Sequence, residues 1–236
     1  MIIGLIPARS GSRTVKNKNI KLLAGYPLIA YSITASRLST KIERTIVSTD
    51  SEEYVEIARR YGAEVPFLRP AEYATDTSTD MDFFKHLLKY ISPDFIVHLS
   101  PTVPLRDPAV IDTAIDKIVS DQVATSLRSI HQVVPAHKLF TIRDGYLSGM
   151  FPHDPRPEYY NLPRQSFAPN YKGNGYVDIV LPEIITNLHG SKILPLITED
   201  IGDIDTEADF EFIEWRLQKY GSVIYDYLKE NYKEER

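Results

Sequence analysis

Apolar residues occur along the chain in two alternating patterns. Short unbroken apolar runs, beginning with MIIGLI at residues 1–6, are typical of β-strands that are covered on both faces of a sheet. Further runs of this kind lie at 44–49, 94–100 and 122–130. Between the runs, the spacing of apolar residues predicts helices at 28–38, 52–62 and 79–91. A fourth helix is predicted after Asp107-Pro108 by one apolar stripe, formed by Val110, Ile111, Ala114, Ile115 and Ile118. Strands that alternate with helices in this way predict an α/β fold with a mostly parallel sheet.

Several of the predicted helices are preceded by residues that commonly begin helices. Asp50 followed by Glu53 fits a capping box for the helix over 52–62. The pair Asp107-Pro108 stands at the start of another helix. Thr206 is expected to cap a last helix, whose apolar face is formed by Phe210, Ile213, Leu217 and Tyr220.

The alternation stops between residues 131 and 169, where prolines, histidines and aromatic residues are frequent. A stretch of this length without a periodic pattern is usually functional or part of an interface. Strand patterns return at 174–181 and 192–197. We therefore expect a single domain over residues 1–236, with an inserted lobe at 131–170.

Charge and composition exclude several classes of function. The net charge of −5 gives no reason to expect a nucleic-acid partner. The absence of cysteine excludes disulfides, thiolate nucleophiles and zinc–thiolate sites, and it is compatible with a cytoplasmic location. No stretch approaches the roughly 20 apolar residues that a membrane span needs, so no membrane contact is expected. The histidines lack the spacing of metal ligands on any one element.

A basic turn, PARSGSR at residues 7–13, follows the first predicted strand. Ligands of open α/β sheets bind beyond the carboxyl ends of the strands, so this turn is expected to lie at the binding edge. Gly11 permits close approach of the backbone, and Arg9 and Arg13 supply bidentate positive charge. The turn fits neither the Walker A pattern nor G-x-G-x-x-G. Taken alone, it is either a phosphate-binding turn or a solvated basic loop.

Two carboxylates, Asp203 and Asp205, follow the predicted strand at 192–197. Residues i and i+2 of an extended segment project to the same side, so this pair can share a Mg²⁺ ion. The alternative is that one of the two aspartates only caps a helix. DIDT also matches the D-x-D-x-T signature of haloacid dehalogenase phosphatases, but too little chain follows Thr206 to supply the rest of that domain.

Together these motifs resemble the acylneuraminate cytidylyltransferases (CMP-sialic acid synthetases), and bacterial, legionaminic-acid-type members in particular. The resemblance starts with IPARSGSR and KNKN and covers nearly the whole chain. The later motifs occur in the family's order and approximate spacing: IVSTD (46–50), LRPAEYATDTS (68–78), SPTVPLR (100–106), PRQ (163–165), NGYVDI (174–179) and DIDTEAD (203–209). The resemblance implies a Rossmann-like fold of the nucleotide-diphospho-sugar transferase type, with the lobe at 131–170 forming the interface of a homodimer.

The same resemblance implies a nucleotidyltransferase that moves CMP from CTP to the anomeric hydroxyl of a nonulosonic acid, with Mg²⁺ and release of pyrophosphate. The residues that match triphosphate-binding and catalytic positions of the family are Arg9, Ser12, Arg13 and Lys18, and Asp205 joins Asp203 as a metal ligand and counts among the catalytic groups. Positions that contact cytosine and ribose are matched by Asn19, Arg69 and Ser78. Positions near the sugar acid are matched by Ser100, Lys138, Arg164 and Asp178. Taken alone, Arg69 is more simply a surface partner of Glu72.

The chain departs from the family at two positions of the expected sugar site. Many members have glutamine where this chain has Ser100, and some have tyrosine where it has Asp178. Such changes alter which hydroxyl, amine or acylamino groups a site accepts, so N-acetylneuraminate competes with legionaminic, pseudaminic and other ulosonic acids. Two alternatives stay open: a 3-deoxy-manno-octulosonate cytidylyltransferase and a non-catalytic nucleotide-sugar binding protein. In the former, a PGKPL-like stretch usually stands where this chain has KNKN.

Overall fold

The computed structural model describes residues 1–12, 14–184 and 188–235. Its strands are β1 (Ile2–Pro7), β2 (Leu22–Leu23), β3 (Tyr26–Pro27), β4 (Arg44–Ser48), β5 (Phe95–His98), β6 (Ser126–Val133), β7 (Phe140–Arg143), β8 (Tyr146–Gly149), β9 (Asn170–Val180) and β10 (Ile193–Ile197). Its α-helices are α1 (Leu28–Leu38), α2 (Glu52–Arg60), α3 (Asp80–Leu87), α4 (Pro108–Ser120), α5 (Glu207–Tyr220) and α6 (Val223–Asn231). The predicted Arg13 lies outside the described residues.

The central sheet has the strand order β10-β6-β9-β5-β1-β4 within the described part of the chain. β1 runs parallel to β4 and β5, and β10 runs parallel to β6. β9 is antiparallel to both of its neighbours, β5 and β6. The predicted α/β class with a mostly parallel sheet is confirmed, and β9 is the strand that reverses direction.

Helices cover both faces of this sheet because successive residues of each strand point to opposite sides. Ile3 and Leu5 of β1 pack with α3, whereas Ile6 packs with the larger cluster that contains α1, α4, α5 and α6. Gly4 lies directly under α1, where an added Cβ would collide with the hydroxyl of Ser36. The first strand is therefore held closely against its helix, and the turn that follows it starts from a rigid position.

The predicted capping box at Asp50 and Glu53 is wrong. Ser51 caps α2, and its hydroxyl accepts a hydrogen bond from the Tyr54 N–H. The Asp50 carboxylate instead accepts hydrogen bonds of 2.7 Å each from the N–H and the hydroxyl of Ser10. Because β4 lies beside β1, the residue after β4 meets the turn after β1, and this contact outcompetes the local cap.

The prediction of an irregular segment over 131–169 is partly wrong. β6 continues to Val133 and β9 begins at Asn170, so the two strands enter the segment from both ends. Between them, β7 and β8 form an antiparallel hairpin, followed by short turns of 3-10 helix. The strands of the hairpin have only four residues each, which is too short for a clear periodic pattern in the sequence. α6 is a further element that the pattern did not predict.

The helices of residues 1–12, 14–184 and 188–235 are all too short or too polar to cross a lipid bilayer.

Candidate active site

Three adjoining cavities follow the carboxyl ends of the strands. The first, of about 360 Å³, is lined by the basic turn and includes Arg9 and Asn19. The second, of about 200 Å³, shares those two residues and leads to Ser100. The third, of about 710 Å³, shares Ser100 with the second and ends at Asp178, Asp203 and Asp205. The three cavities form one groove, which we call the cleft, with a basic end and an acidic end.

Hydrogen bonds from neighbouring elements hold the basic turn in place. Besides its anchor on Asp50, the turn is fixed by the Asn19 amide, which donates to the Arg9 carbonyl at 3.0 Å. The Arg9 guanidinium pairs with Asp76 at 2.8 Å. Gly11 has a φ of +76°, a left-handed backbone conformation that side chains disfavour. Ser12 lines the same cavity. The turn is thus a preorganised set of donors at the strand end.

Lys18 joins the two ends of the cleft. Its side chain is only 12% exposed, and its ammonium donates to the Ile204 carbonyl at 2.8 Å and to Asp205 at 3.1 Å. The sequence places these residues far apart, and the fold brings the predicted triphosphate ligand against the predicted metal ligand. A group bound between Lys18 and Asp205 therefore faces the ammonium and the carboxylate at once.

The middle of the cleft contains Arg69 and Ser78. Arg69 is 4% exposed and donates to the hydroxyl of Ser48 at 3.0 Å and to the Ser48 carbonyl. Burial lowers the pKa of Arg69 to about 10, so the guanidinium stays charged at neutral pH. Arg69 is thus a buried residue that holds the end of β4. This burial argues against its alternative interpretation as a surface ion-pair partner of Glu72. Ser78 accepts a hydrogen bond of 2.9 Å from the Thr75 N–H on the same wall.

Asp203 and Asp205 lie on either side of buried Ile204, whose N–H donates to the Thr102 carbonyl at 2.8 Å. Both carboxylates line the acidic end of the cleft. Burial raises the pKa of Asp203, the negative charge of Asp205 raises it further, and a hydrogen bond from Thr102 opposes the rise. Thr206 caps α5 together with Asp209, as predicted, so neither carboxylate is used as that cap.

The acidic pair fits a divalent cation on the chemistry of its donors. Two neighbouring carboxylates repel each other, and a hard cation relieves that repulsion. No third His, Cys, Asp or Glu completes a cage around them in the described part of the chain. Mg²⁺ commonly takes one or two carboxylates and fills its remaining positions with water and substrate phosphate. The residues present therefore fit Mg²⁺ bound together with a nucleotide.

The predicted sugar residues divide into two groups. Ser100 and Asp178 line the acidic end of the cleft. Lys138 and Arg164 lie in the lobe instead. The Lys138 ammonium donates to the carbonyl of Tyr160 at 2.9 Å and to that of Leu162, and Arg164 is exposed. Neither lines the cavities of its own chain's cleft, so their predicted role depends on a second subunit.

A buried arginine that was not predicted from the sequence supports the wall of the cleft from behind, through the backbone of residues that line it. Arg106, at the end of SPTVPLR, is 1% exposed and donates to Ser32 and to the Gly175 carbonyl at 2.8 Å each. It fixes the bulge of β9 that carries Gly175, which has a φ of +63°. In the sequence, Arg106 is only an arginine that follows an apolar stretch. That position does not indicate that its guanidinium binds backbone carbonyl groups.

Asp178 is expected to destabilise the fold when it is ionised. Its burial raises its pKa to about 6, and nearby Arg128 offsets part of this shift. The folded state therefore holds the proton more tightly than the unfolded state, whose aspartate pKa is about 3.9. The resulting stabilisation is complete below about pH 4 and is lost as the pH rises through about 6.

We predict that Asp178→Asn raises the free energy of unfolding at pH 7.5 by about 1–3 kcal/mol and gives no such gain at pH 4. Urea unfolding at both pH values measures this difference. Asp200→Asn, an exposed carboxylate of the same cavity, is the matched control and should change little. An equal effect of Asp178→Asn at both pH values would contradict the assignment.

The family model for cytidylyltransferases matches residues 3–149, which include the basic turn and the middle of the cleft. Because this match covers more than half of the chain, the chain belongs to the cytidylyltransferase family. Nucleotidyl transfer is the activity of that class of enzyme.

Two curated relatives are similar over about half of the chain. N-acylneuraminate cytidylyltransferase of Escherichia coli is 46% identical over 115 residues, which are 48% of this chain and 27% of that protein. CMP-N,N'-diacetyllegionaminic acid synthase of Legionella pneumophila is 43% identical over 120 residues, 49% of this chain and 52% of that protein. The matched region thus spans about a quarter and about half of the lengths of these two relatives.

Among solved structures, a CMP:2-keto-3-deoxy-manno-octonic acid synthetase complexed with CTP is similar to this chain with a TM-score of 0.71. The match covers 92% of this chain and 98% of that one at 16% identity. The likeness supports the predicted Rossmann-like fold of nucleotide-sugar cytidylyltransferases.

Proposed function

We propose that this protein transfers CMP from CTP to the anomeric hydroxyl of a nonulosonic, sialic-type acid and releases pyrophosphate. The observation that carries the proposal is the order of groups along one cleft. The cleft of this cytidylyltransferase-family chain begins with the basic turn, continues past buried Arg69 and ends at the pair of carboxylates. The two relatives that match about half of the chain are named for the activation of such sugar acids.

In the proposed reaction, the anomeric oxygen of the sugar acid attacks the α-phosphorus of CTP. A new P–O bond to the sugar forms as the bond from the α-phosphorus to the bridging oxygen breaks, and pyrophosphate departs with the electron pair. The hydroxyl proton is lost to solvent. Phosphoryl transfer of this kind depends on positioning and charge neutralisation.

The residues of the basic end would bind the phosphates. Arg9 and Lys18 supply fixed cations, Ser12 and the backbone of the turn supply neutral donors, and we assign Arg13 the same role from the sequence. Lys18 lies closest to Asp205, so it would contact the phosphate on which the bonds change. Asn19, Arg69 and Ser78 would hold the cytidine in the middle of the cleft.

Asp203 and Asp205 would hold Mg²⁺ at the acidic end. When it is bound, the cation neutralises phosphate charge and makes the sugar hydroxyl easier to deprotonate. The two carboxylates orient this charge toward the same cavity that Ser100 and Asp178 line, where we place the sugar acid. Because CTP is a cytoplasmic metabolite, we propose that the protein works in the cytoplasm.

The experiment that tests this function is pyrophosphate release with CTP, ATP, GTP and UTP, each with a panel of sugar acids and Mg²⁺. We expect release with CTP and a nonulosonic acid only. Release with 3-deoxy-manno-octulosonate in preference to the nine-carbon acids would support the octulosonate alternative instead. CTP binding without release from any sugar acid would support a binding protein and overturn the proposal.

The lobe is proposed to form a homodimer. Its β7–β8 hairpin leaves Ile142, Tyr146 and Leu147 exposed by 75%, 80% and 71%. Apolar side chains grouped on one hairpin mark an interaction surface. In a dimer through this surface, Lys138 and Arg164 of one subunit would come to the cleft of the other, which the sequence motifs predict.

Ile142→Glu is expected to convert a dimer into a monomer, because it places a charge in the apolar contact. Light scattering after gel filtration measures the mass, and pyrophosphate release should fall with it. Val123→Glu, which changes an apolar residue that is 59% exposed outside the lobe, is the control and should remain dimeric. A wild-type monomer with full activity would contradict the lobe assignment.

A further inference from the structure

A carboxylate, that of Asp76, faces the basic end of the cleft, where the phosphates are proposed to bind. Asp76 lines the same cavity of about 360 Å³ as Arg9 and Lys18. Its Oδ1 accepts a hydrogen bond of 2.8 Å from Nη1 of Arg9, and both side chains are partly exposed to the cavity. The Arg9 guanidinium is therefore already paired with an anion that the chain itself supplies.

The second cation of this cavity, Lys18, is paired in a different way. Its ammonium lies 3.1 Å from Oδ1 of Asp205, which lines the acidic end and is a proposed ligand of Mg²⁺. When Lys18 turns to a phosphate, the charge of Asp205 is still compensated at the metal site. Asp76 lines the basic cavity and not the acidic one. Its negative charge would therefore stand directly against phosphates bound to Arg9.

Asp76 belongs to an exposed turn that is held together by its own side chains. The turn lies between a short 3-10 helix, Ala71–Tyr73, and α3. The hydroxyl of Thr75 forms hydrogen bonds with those of Thr77 and Ser78, at 3.2 and 2.9 Å. None of residues 74–78 belongs to the buried core. Moving the turn away from Arg9 thus breaks the ion pair but uncovers no core side chain, so a bound anion can displace Asp76.

Resting on the proposed function, we propose that Asp76 competes with phosphates for Arg9 and thereby limits how tightly pyrophosphate is held after CMP transfer. Carboxylate and phosphate oxygens are both acceptors for the same guanidinium N–H groups, and the two anions repel each other at this distance. CTP offsets the displacement of Asp76 through its proposed contacts in the middle of the cleft. Pyrophosphate has no nucleoside, so Asp76 returns to Arg9 and pyrophosphate is released.

The test measures the binding of pyrophosphate by titration calorimetry without any sugar acid, once in EDTA and once with Mg²⁺. Asp76→Asn keeps the size of the side chain but removes its charge. We expect this variant to bind pyrophosphate about 5- to 20-fold more tightly than the wild-type protein under both conditions, because no ion pair has to be broken and a repulsion is lost. Asp76→Glu keeps the charge and should bind like the wild-type protein. Damage to the turn would weaken binding, so a gain in affinity reports the competition itself.

Glu72→Gln is the matched control, since Glu72 is an exposed carboxylate of the same segment that does not line the basic cavity. Its affinity for pyrophosphate should be unchanged, and a gain equal to that of Asp76→Asn would overturn the inference. Unchanged or weaker binding by Asp76→Asn also overturns it, and a loss confined to Mg²⁺ would make Asp76 a metal ligand instead. Absence of CMP transfer to every sugar acid in the wild-type protein overturns the proposed function and the role in release, while the titration still decides the competition for Arg9.

Discussion

Replacing Asp205 with asparagine is expected to lower kcat for CMP transfer by at least about 10²-fold while the fold remains intact. Asparagine keeps the shape of the side chain but removes the negative charge that attracts the cation. Asp203 alone then faces Mg²⁺, and Lys18 loses its ion pair with residue 205. The measurement is the rate of pyrophosphate release at saturating substrates over a titration of Mg²⁺, with circular dichroism as the check of folding.

Asp200→Asn is the matched control for this variant. Asp200 lines the same cavity and lies 3.6 Å from His131, but it has no proposed role in binding the cation. Its turnover and Mg²⁺ dependence should stay close to those of the wild-type protein. Turnover of Asp205→Asn near the wild-type value, at the same Mg²⁺ concentration, would remove Asp205 from the metal site.

Lys18→Met is the variant with the second largest expected effect. Methionine keeps much of the side chain's apolar volume but loses the ammonium that faces both the basic end and Asp205. We expect kcat/KM for CTP to fall by about 10²-fold or more, because a partly buried charge contributes strongly to the binding of phosphate. Steady-state kinetics with varied CTP measures the loss.

Lys16→Met provides the comparison, since Lys16 lies two residues before Lys18 in the segment that follows the basic turn. Lys16 is exposed, so its charge is screened by water and its removal should change kcat/KM for CTP only slightly. Thermal unfolding of both variants separates an effect on CTP from an effect on folding, since Lys18 also donates to the Ile204 carbonyl. Equal kinetic losses in the two variants would indicate a general basic surface rather than a specific phosphate contact.

Local patterns predicted most of the fold. The unbroken apolar run of β1 and the stripe of α4 were confirmed because both are determined by which faces are buried. The cap at Asp50 was mispredicted because its true partner, Ser10, lies on the neighbouring strand's turn. The hairpin β7–β8 was missed although Phe140–Arg143 alternates and Asp144-Gly145, which has positive φ at both residues, is a common hairpin turn, because each of its strands has only four residues.

The cleft was predicted less completely than the fold. Strand-end motifs indicated the basic turn and the acidic pair, since ligands collect at the carboxyl ends of strands. The contact between Lys18 and Asp205 was not predictable, nor was the row that His98 of β5, Asp178 of β9 and Arg128 of β6 form across the sheet. They depend on strand order and register, which bring residues together from distant parts of the chain. His98 and Arg128 come together only because β9, which carries Asp178, lies between their strands.

We expect the product to contain CMP joined to the sugar acid through its anomeric oxygen. Phosphorus NMR of a reaction with CTP, Mg²⁺ and a nonulosonic acid tests this bond directly. We predict that the three CTP resonances are replaced by one phosphodiester resonance and by pyrophosphate, with the phosphodiester coupled to the anomeric carbon. Conversion of CTP only to free CMP or CDP, with no phosphodiester resonance from any sugar acid, would show that the protein does not transfer CMP to a sugar acid.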